Sequence, residues 1–536
     1  MNVSRNTSRP LDVQGTISGY RRYSSPLLAV LAACLLAGCA TTDRYASRGA
    51  GGPLAALEHG LRPVVLKAGE PLPGWSLHER MAHYHVPGVA IAVVRDGEVV
   101  QAAGFGVREA GTQDAVDADT LFSVGSISKM VAAAASLRLV AEGRLDLDRD
   151  VNTYLKSWQI PPTPEFVDAA VTMRMLLSHT SGLNVHGFED FQPGEALPSI
   201  VDTLNGTSPA KNDRVHLVFE PGTWMKYSGG GIMVEQLAIQ DVTGLPFESA
   251  ASNAVFQPIG MRRSTFANPL PAALGNIAKA HDDTGALTAL PRGWQTFPEL
   301  AASGLWTSAN ELGAFAGALI KSYQGSSSFL PQTIATQMMT EVSPSWHGLG
   351  PRLDGAGLTR IFHHGGANDS YRAWIEGYLE TGDGFVILTN GHGGGPLMLE
   401  IRNALSDAIG HGVNPLIRAI ALPADLALTD YAGSYRVNPT ESLAQRSLAN
   451  YFESDVLDVT VANGTIAVTE PTDPLTLELL PLTPTRFTAV SVLMPPQFEF
   501  HRDAHGVVRS LSVSRGTSRI NYHRQVSGEP PPADSD

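Results

Sequence analysis

Two patterns of apolar and polar positions succeed each other along this chain, and they meet near Leu422-Pro423-Ala424. In the first region, Gly88-Val89-Ala90-Ile91-Ala92-Val93-Val94-Arg95, then Asp96-Gly97, then Glu98-Val99-Val100 predict a strand, a tight Asp-Gly turn and a returning strand. Later strands are predicted at Tyr371–Ile375 and Gly384–Asn390, with helical segments between them. The clearest helix runs through Val131-Ala132-Ala133-Ala134-Ala135-Ser136-Leu137-Arg138-Leu139-Val140, a strong helix former that stops at the capping Gly143. Strands from both ends of this region around a helical middle imply an antiparallel sheet closed by distant segments. The expected fold class is therefore α+β, a sandwich with a helical insert and a pocket between insert and sheet.

In the second region the strands shorten. Leu457–Val461, Asn463–Val468 and Val507–Val513, separated by turns, suit a small antiparallel β-barrel. A chain of 536 residues is long for a single core. The expected division is a domain over 54–422, a barrel over 423–526 and a disordered tail over 527–536, where Gly528-Glu529-Pro530-Pro531-Pro532-Ala533 lies.

Residues 1–38 read as a targeting segment. Arg5, Arg9, Arg21 and Arg22 precede the apolar run Leu27–Leu36, which is short for a membrane span and suits a signal-peptide core. Leu36-Ala37-Gly38-Cys39 resembles a bacterial lipobox, which implies cleavage before Cys39 and acylation of its thiol and new amine. Ala40 in the next position resembles outer-membrane sorting. The expected location is the bacterial cell envelope, lipid-anchored and facing the periplasm, with residues 39–53 as a flexible tether. A secretory signal cut after Ala40 and a cytoplasmic chain with an apolar start are the alternatives.

Charge and cysteine content narrow the partners. Cleavage before Cys39 would remove four arginines and one aspartate, taking the net charge from −14 to −17, which argues against nucleic acid. Both cysteines, Cys34 and Cys39, lie at the N-terminus, and His83, His85, His392 and His411 lack metal-ligand spacing, so no metal or cofactor is expected.

The candidate chemistry starts at Ser126-Ile127-Ser128-Lys129. A hydroxyl and an amine three residues apart in a helical segment share a face, and a lysine there can accept the serine proton when its surroundings favour the free amine. Ser126 is expected in the first turn of the helix, where unpaired N–H groups favour an oxyanion. The pattern recurs at Ser208-Pro209-Ala210-Lys211, but in a turn-rich stretch with no apolar period after it, so that copy reads as chance. No Gly-x-Ser-x-Gly elbow occurs, which argues against an α/β-hydrolase.

Further motifs follow in order: Leu176-Leu177-Ser178-His179-Thr180-Ser181-Gly182-Leu183, then Pro221-Gly222-Thr223 leading to Tyr227-Ser228-Gly229, then His364-Gly365-Gly366. With Phe122–Lys129 before them, they resemble the serine beta-lactamase and penicillin-binding-protein superfamily. The match is nearest its class C-like branch of beta-lactamases, family VIII carboxylesterases, DD-peptidases and D-aminopeptidases, and covers roughly residues 54 to 415. The resemblance implies Ser126 as the acylated nucleophile, Lys129 as its base partner and Tyr227 as a proton relay to the leaving group and the deacylating water. His364 takes the third-motif position and is expected to donate a hydrogen bond to substrate or Tyr227, with a charge that varies near neutral pH. The backbone N–H groups of Ser126 and Ala367 would form the oxyanion hole, and Gly366 would let substrate approach the strand edge. His363 is expected on the opposite face of that strand, and His179 as a structural residue. Glu189-Asp190 reads as a solvated pair. Tyr431–Arg436 and Phe498-Glu499-Phe500 resemble the lipocalin-like module appended to some of these hydrolases.

One departure bears on substrate. Many relatives place asparagine two residues after the tyrosine to hold the acyl amide, and here that position is Gly229, within Gly229-Gly230-Gly231. An esterase or D-amino-acid peptide hydrolase acting on a small-molecule or peptide acyl substrate therefore stands first. A beta-lactamase or DD-carboxypeptidase follows, and an inactive envelope binding protein is the alternative of another class. The triple glycine is a poor phosphate cradle, since no Gly-Lys-Ser/Thr follows and an apolar helix is expected to resume at Ile232.

Overall fold

The computed structural model describes residues 52–525 except 193, 291–292, 295, 439–440, 442–453, 472, 491–494 and 516–517. Cys39, the signal segment, all but the end of the 39–53 tether and the 527–536 tail lie outside the described residues.

Gly88–Arg95 (β1) and Glu98–Gly106 (β2) form the hairpin expected from the sequence. Asp96 and Gly97 form its turn with φ of 50° and 69°, the twist that a two-residue loop between antiparallel strands requires. The helical middle includes Ser128–Ala141 (α1), Gly229–Thr243 (α2) and Ala309–Tyr323 (α3). The chain then returns as Arg352–Asp354 (β3), Ile361–Ala367 (β4), Arg372–Tyr378 (β5) and Gly384–Thr389 (β6), followed by Gly394–Ile409 (α4). These six strands form one antiparallel sheet in the order β2-β1-β6-β5-β4-β3. Pairing of β1 with β6 is what joins the two ends of the region.

Central β1 is buried on both faces. Ala90, Ala92 and Val94 pack into the larger core with Leu312, Phe315 and Leu319 of α3, while Val89, Ile91 and Val93 pack against Leu397, Ile401 and Leu405 of α4. Two helical layers thus cover the sheet, which is why β1 reads as a continuous apolar run rather than an alternating one. Each fully buried Val, Ile or Leu side chain contributes about 1.5–3 kcal/mol of transfer free energy, so these layers hold the sheet that carries β4.

After α4 the chain enters a closed antiparallel barrel of eight strands. Its strands are Gly433–Val437 (β7), Val456–Ala462 (β8), Thr465–Glu470 (β9), Asp473–Pro481 (β10), Arg486–Ala489 (β11), Gln497–Arg502 (β12), Val508–Arg515 (β13) and Ser518–Arg524 (β14). Asn463 and Gly464, expected to open a strand, instead form the β8–β9 turn with φ of 52° and 75°, because Asn-Gly tolerates that conformation and keeps Ile466 and Val468 facing inward. The barrel interior is filled by Tyr431, Tyr435, Phe487, Phe498, Phe500 and Tyr522, each at most 2% exposed.

Candidate active site

A cavity of about 660 Å³ opens between the helical layer and the β4 end of the sheet. Ser126, Lys129, Tyr227, Gly229, His364, Gly366 and Ala367 all line it, so every candidate named in the sequence within the described residues comes to one place.

Ser126 precedes the helix instead of opening it. It sits in a single 3-10 turn, Gly125–Ile127, and α1 begins at Ser128. The cause is the strand opposite. Gly125 has φ of 48°, and a Cβ there would lie 2.8 Å from the backbone of Ala367, while a Cβ on Gly366 would lie 1.8 Å from the Val124 carbonyl oxygen. The turn and β4 are therefore pressed backbone to backbone, which brings Ser126 and Ala367 to one end of the cavity. Ser128 secures the arrangement by donating from Oγ to the Gly125 carbonyl (2.6 Å) and accepting from the Leu305 N–H (3.0 Å).

Lys129 is buried at 4% exposure. Its Nζ donates to Ser126 Oγ at 3.2 Å and to the Ala302 carbonyl at 2.8 Å, and lies 5.0 Å from the Tyr227 ring centroid. Tyr227 enters just before α2, whose N-cap Ser228 accepts from the Gly231 N–H and donates to the Asn184 carbonyl. Burial raises the pKa of the Tyr227 phenol, but the Lys129 and Arg352 cations and side-chain hydrogen bonds from Ser126 and Lys129 outweigh it, so the net shift is downward.

Histidines surround that phenol. The His179 ring lies 4.3 Å from the Tyr227 ring and His186 5.1 Å from it, while His347 stands edge-on to His179 at 4.9 Å. His179 Nδ1 accepts the Ser228 N–H at 3.2 Å, and the His179 carbonyl accepts the Lys226 N–H at 2.9 Å, so His179 grips the segment that carries Tyr227. Burial, followed by nearby positive charge, holds His179 well below the usual imidazole range.

His364 departs from expectation. It is fully buried, and burial together with the Arg352 guanidinium holds its pKa well below the usual imidazole value, so it is neutral at pH 7. Nδ1 lies 2.6 Å from the Gly365 carbonyl. A carbonyl accepts only, so that nitrogen carries the proton and Nε2 presents a lone pair, an acceptor where a donor was expected. Arg352 of β3 supplies the fixed positive charge, its Cζ lying 5.8 Å from the Tyr227 ring centroid. His363 faces the other side of β4, stacked on Trp374 at 5.0 Å and bonded through Nε2 to Asp354 Oδ2 at 2.8 Å.

Gly229 has a spatial reason. A Cβ there would lie 2.9 Å from Phe188 Cε2 and 3.0 Å from the His186 carbonyl, and a Cβ on Gly230 2.8 Å from the Asn184 carbonyl. The loop 184–188 occupies the space of a side chain, and His186 and Phe188 line the cavity beside it. The glycines form the first turn of α2, which starts at Gly229 rather than at Ile232.

The second Ser-x-x-Lys copy lies elsewhere. Lys211 bonds the Asp190 carbonyl and Glu195 at 2.8 and 2.9 Å, and neither it nor Glu189 or Asp190 lines the cavity. Among the described residues no group of three or more His, Cys, Asp or Glu side chains is placed to hold a metal. Arg352, His347, His186 and Trp346 are the site residues that sequence reasoning missed. They belong to no local motif, and only Trp346-His347, an aromatic pair before Gly348-Leu349-Gly350, offered a signal.

The Beta-lactamase family model matches residues 76–408. Penicillin-binding protein 4 of Amycolatopsis lactamdurans is 29% identical over 198 residues, covering 37% of this chain and 49% of that protein. Esterase EstB of Burkholderia gladioli is 32% identical over 192 residues, covering 34% of this chain and 48% of that protein. The chain thus spans about half the length of these curated relatives. Among solved structures, the octameric penicillin-binding protein homologue from Pyrococcus abyssi superposes with a TM-score of 0.54 at 22% identity. That match covers 83% of this chain and 98% of the other, and it bears on fold alone.

Proposed function

The chain belongs to the Beta-lactamase family, and from the geometry of its site we propose that it is a serine hydrolase working through an acyl-enzyme on Ser126. The observation that carries this reading is the meeting of three side chains from two separate segments: Lys129 Nζ lies 3.2 Å from Ser126 Oγ, with the phenol of Tyr227 bonded to both. In the proposed cycle Ser126 Oγ forms a bond to the substrate carbonyl carbon as its proton passes to the Lys129–Tyr227 pair. The developing oxyanion lies toward the N–H groups of Ser126 and Ala367. Collapse breaks the bond to the leaving group, which takes a proton relayed by Tyr227. Water then adds to the ester, and the same pair returns a proton to Ser126. Neutral His364 accepts a hydrogen bond from substrate, and Arg352 keeps the phenol acidic.

The substrate is an ester or a D-amino-acid peptide ahead of a beta-lactam. What supports this order is the absence of a side-chain amide at 229, where the 184–188 loop fills the space. Lipid on Cys39 would anchor the protein in the cell envelope, a reading supported by the apolar run Leu27–Leu36 and the Leu36–Cys39 motif. Wild type and Ser126→Ala are compared for turnover of short-chain p-nitrophenyl esters, D-alanyl p-nitroanilide and nitrocefin, and for covalent labelling by a fluorophosphonate. The expected result is labelling and ester or D-amide turnover that S126A abolishes. Nitrocefin as the best substrate would reverse the order, and neither labelling nor turnover would leave a binding protein. Radiolabelled palmitate that still enters a Cys39→Ala protein would remove Cys39 as the anchor.

A further inference from the structure

The barrel and the cavity share one side chain. Trp346 lines the cavity of Ser126, and it also lines a second hollow of about 550 Å³ on the barrel side, together with Asp354, Arg360 and Arg515. A wall between two hollows is not held in place by dense packing on its far face. Nor is the indole itself pinned by a hydrogen bond, because the buried indole nitrogen of Trp346 has no partner among the described residues. What lies against the ring is Arg515, at the end of barrel strand β13, with Cζ 5.4 Å from the ring centroid. A guanidinium over an indole face is a favourable cation–π contact with little freedom to slide. The same guanidinium lies 3.8 Å from Asp354 Oδ2, the oxygen that bonds His363, the neighbour of His364 on β4. Among the described residues, aromatic side chains fill the barrel interior.

We propose that Arg515 is a positioning residue through which the barrel sets the Trp346 wall of the cavity, and with it the range of substrate sizes the site accepts. Arg515 touches no reacting atom. The proposal rests on the hydrolase reading above and adds to it the purpose of the C-terminal barrel.

The test compares full-length wild type with Arg515→Met, which keeps much of the aliphatic stem and removes the guanidinium. Three probes are used: p-nitrophenyl acetate as the small substrate, p-nitrophenyl hexanoate with a longer acyl group and 1-naphthyl acetate with a larger leaving group. In R515M the ratio of kcat/KM for at least one larger ester to that for p-nitrophenyl acetate is expected to change fivefold or more, carried by KM. The rate of fluorophosphonate labelling of Ser126 is expected to stay within twofold. Leu480→Ala is the control, because Leu480 packs with Val64, Val65 and Ala419 at the barrel contact and not at the cavity. It is expected to lower the melting temperature and leave the ratios as in wild type. Equal change for all three esters, no change, or the same ratio shift in L480A would overturn the role of Arg515. Absence of labelling in wild type would overturn the hydrolase reading and this one with it, whereas a labelled wild type with unshifted R515M ratios would overturn this one alone.

Discussion

The chain carries Ser-x-x-Lys at 126–129 and again at 208–211, and the two copies end in opposite situations. Lys129 is buried, faces Ser126 and is bonded to a backbone carbonyl across the cavity. Lys211 is partly exposed, turns to Asp190 and Glu195, and rests on the Phe191 ring at 4.4 Å. The same four-residue spacing thus yields a site in one place and a loop tie in the other. What separates them is the company each keeps. α1 holds Lys129 against α2 and the 300–303 turn, where Tyr227 and Arg352 converge, whereas Lys211 meets the Asp190 carbonyl, the Glu195 carboxylate and the Phe191 ring, none of which lines the cavity.

Substitution at the two lysines is the largest test of that contrast. Lys129→Met is expected to lower kcat/KM for the acyl substrate by about 10³-fold or more, since it removes the group bonded to the nucleophile and a cation that acidifies Tyr227. Lys211→Met is expected to leave kcat/KM within twofold. Steady-state kinetics on both variants decides it, and comparable losses would erase the distinction.

Tyr227→Phe comes next, with an expected loss of about 10²–10⁴-fold, the usual reach of general acid–base catalysis. Its pH profile sharpens the contrast further. A phenol whose pKa is lowered loses its proton below the ordinary value near 10, so kcat/KM is expected to rise with pH through a midpoint below that value in wild type and to lose the rise in Y227F. His364, already neutral at pH 7, is expected to add no inflection near 6.5, and a limb there that His364→Gln removes would contradict its neutral state.

Glu235 gives an effect on stability rather than rate. It lies on α2, accepts a hydrogen bond from Ser136 of α1 at 2.8 Å, and burial pushes its pKa up to about 8 from an ordinary 4.5. The folded protein therefore binds a proton that the unfolded chain has already released at neutral pH. Stability associated with this group is full below the unfolded value and falls as pH rises from about 4.5 toward about 8. Glu235→Gln keeps an acceptor for Ser136 and removes the titration. The melting temperature of E235Q relative to wild type is expected to climb between pH 5 and 8, reflecting up to a few kcal/mol. A difference that stays flat with pH would contradict the raised value.

The smallest expected effect is the stability change in K211M. Partly exposed ion pairs contribute about 0–1 kcal/mol, so chemical denaturation should move by no more than that and less at high salt. A larger loss would make the second copy a structural element in its own right.

Much of the architecture was legible in the chain. The Asp96-Gly97 hairpin, α1 ending before Gly143, strands at 372–378 and 384–389, and a barrel after residue 423 all follow from apolar runs and turn residues, which act over a few neighbours. The differences are also local in origin but distant in cause. Asn463-Gly464 turned where a strand was expected, and Ser126 entered a 3-10 turn because β4 presses on Gly125 from more than two hundred residues away. Arg352, His347 and Trp346 were not legible as site residues, since no spacing rule connects them to Ser126.

The sequence by itself determined the ordered chemistry, a serine and a lysine three apart, a tyrosine after a Pro-Gly turn and a histidine before two glycines, because each rests on near neighbours along the chain. Only the tertiary structure decided the state of those groups: an acidified Tyr227, a neutral His364 with Arg352 as the cation, a loop filling the space beside Gly229, and a barrel arginine behind Trp346. The physical reason is that spacing is set by covalent geometry over a few residues. Desolvation and electrostatic fields instead sum over whatever the fold brings within several ångströms, from any distance in the sequence.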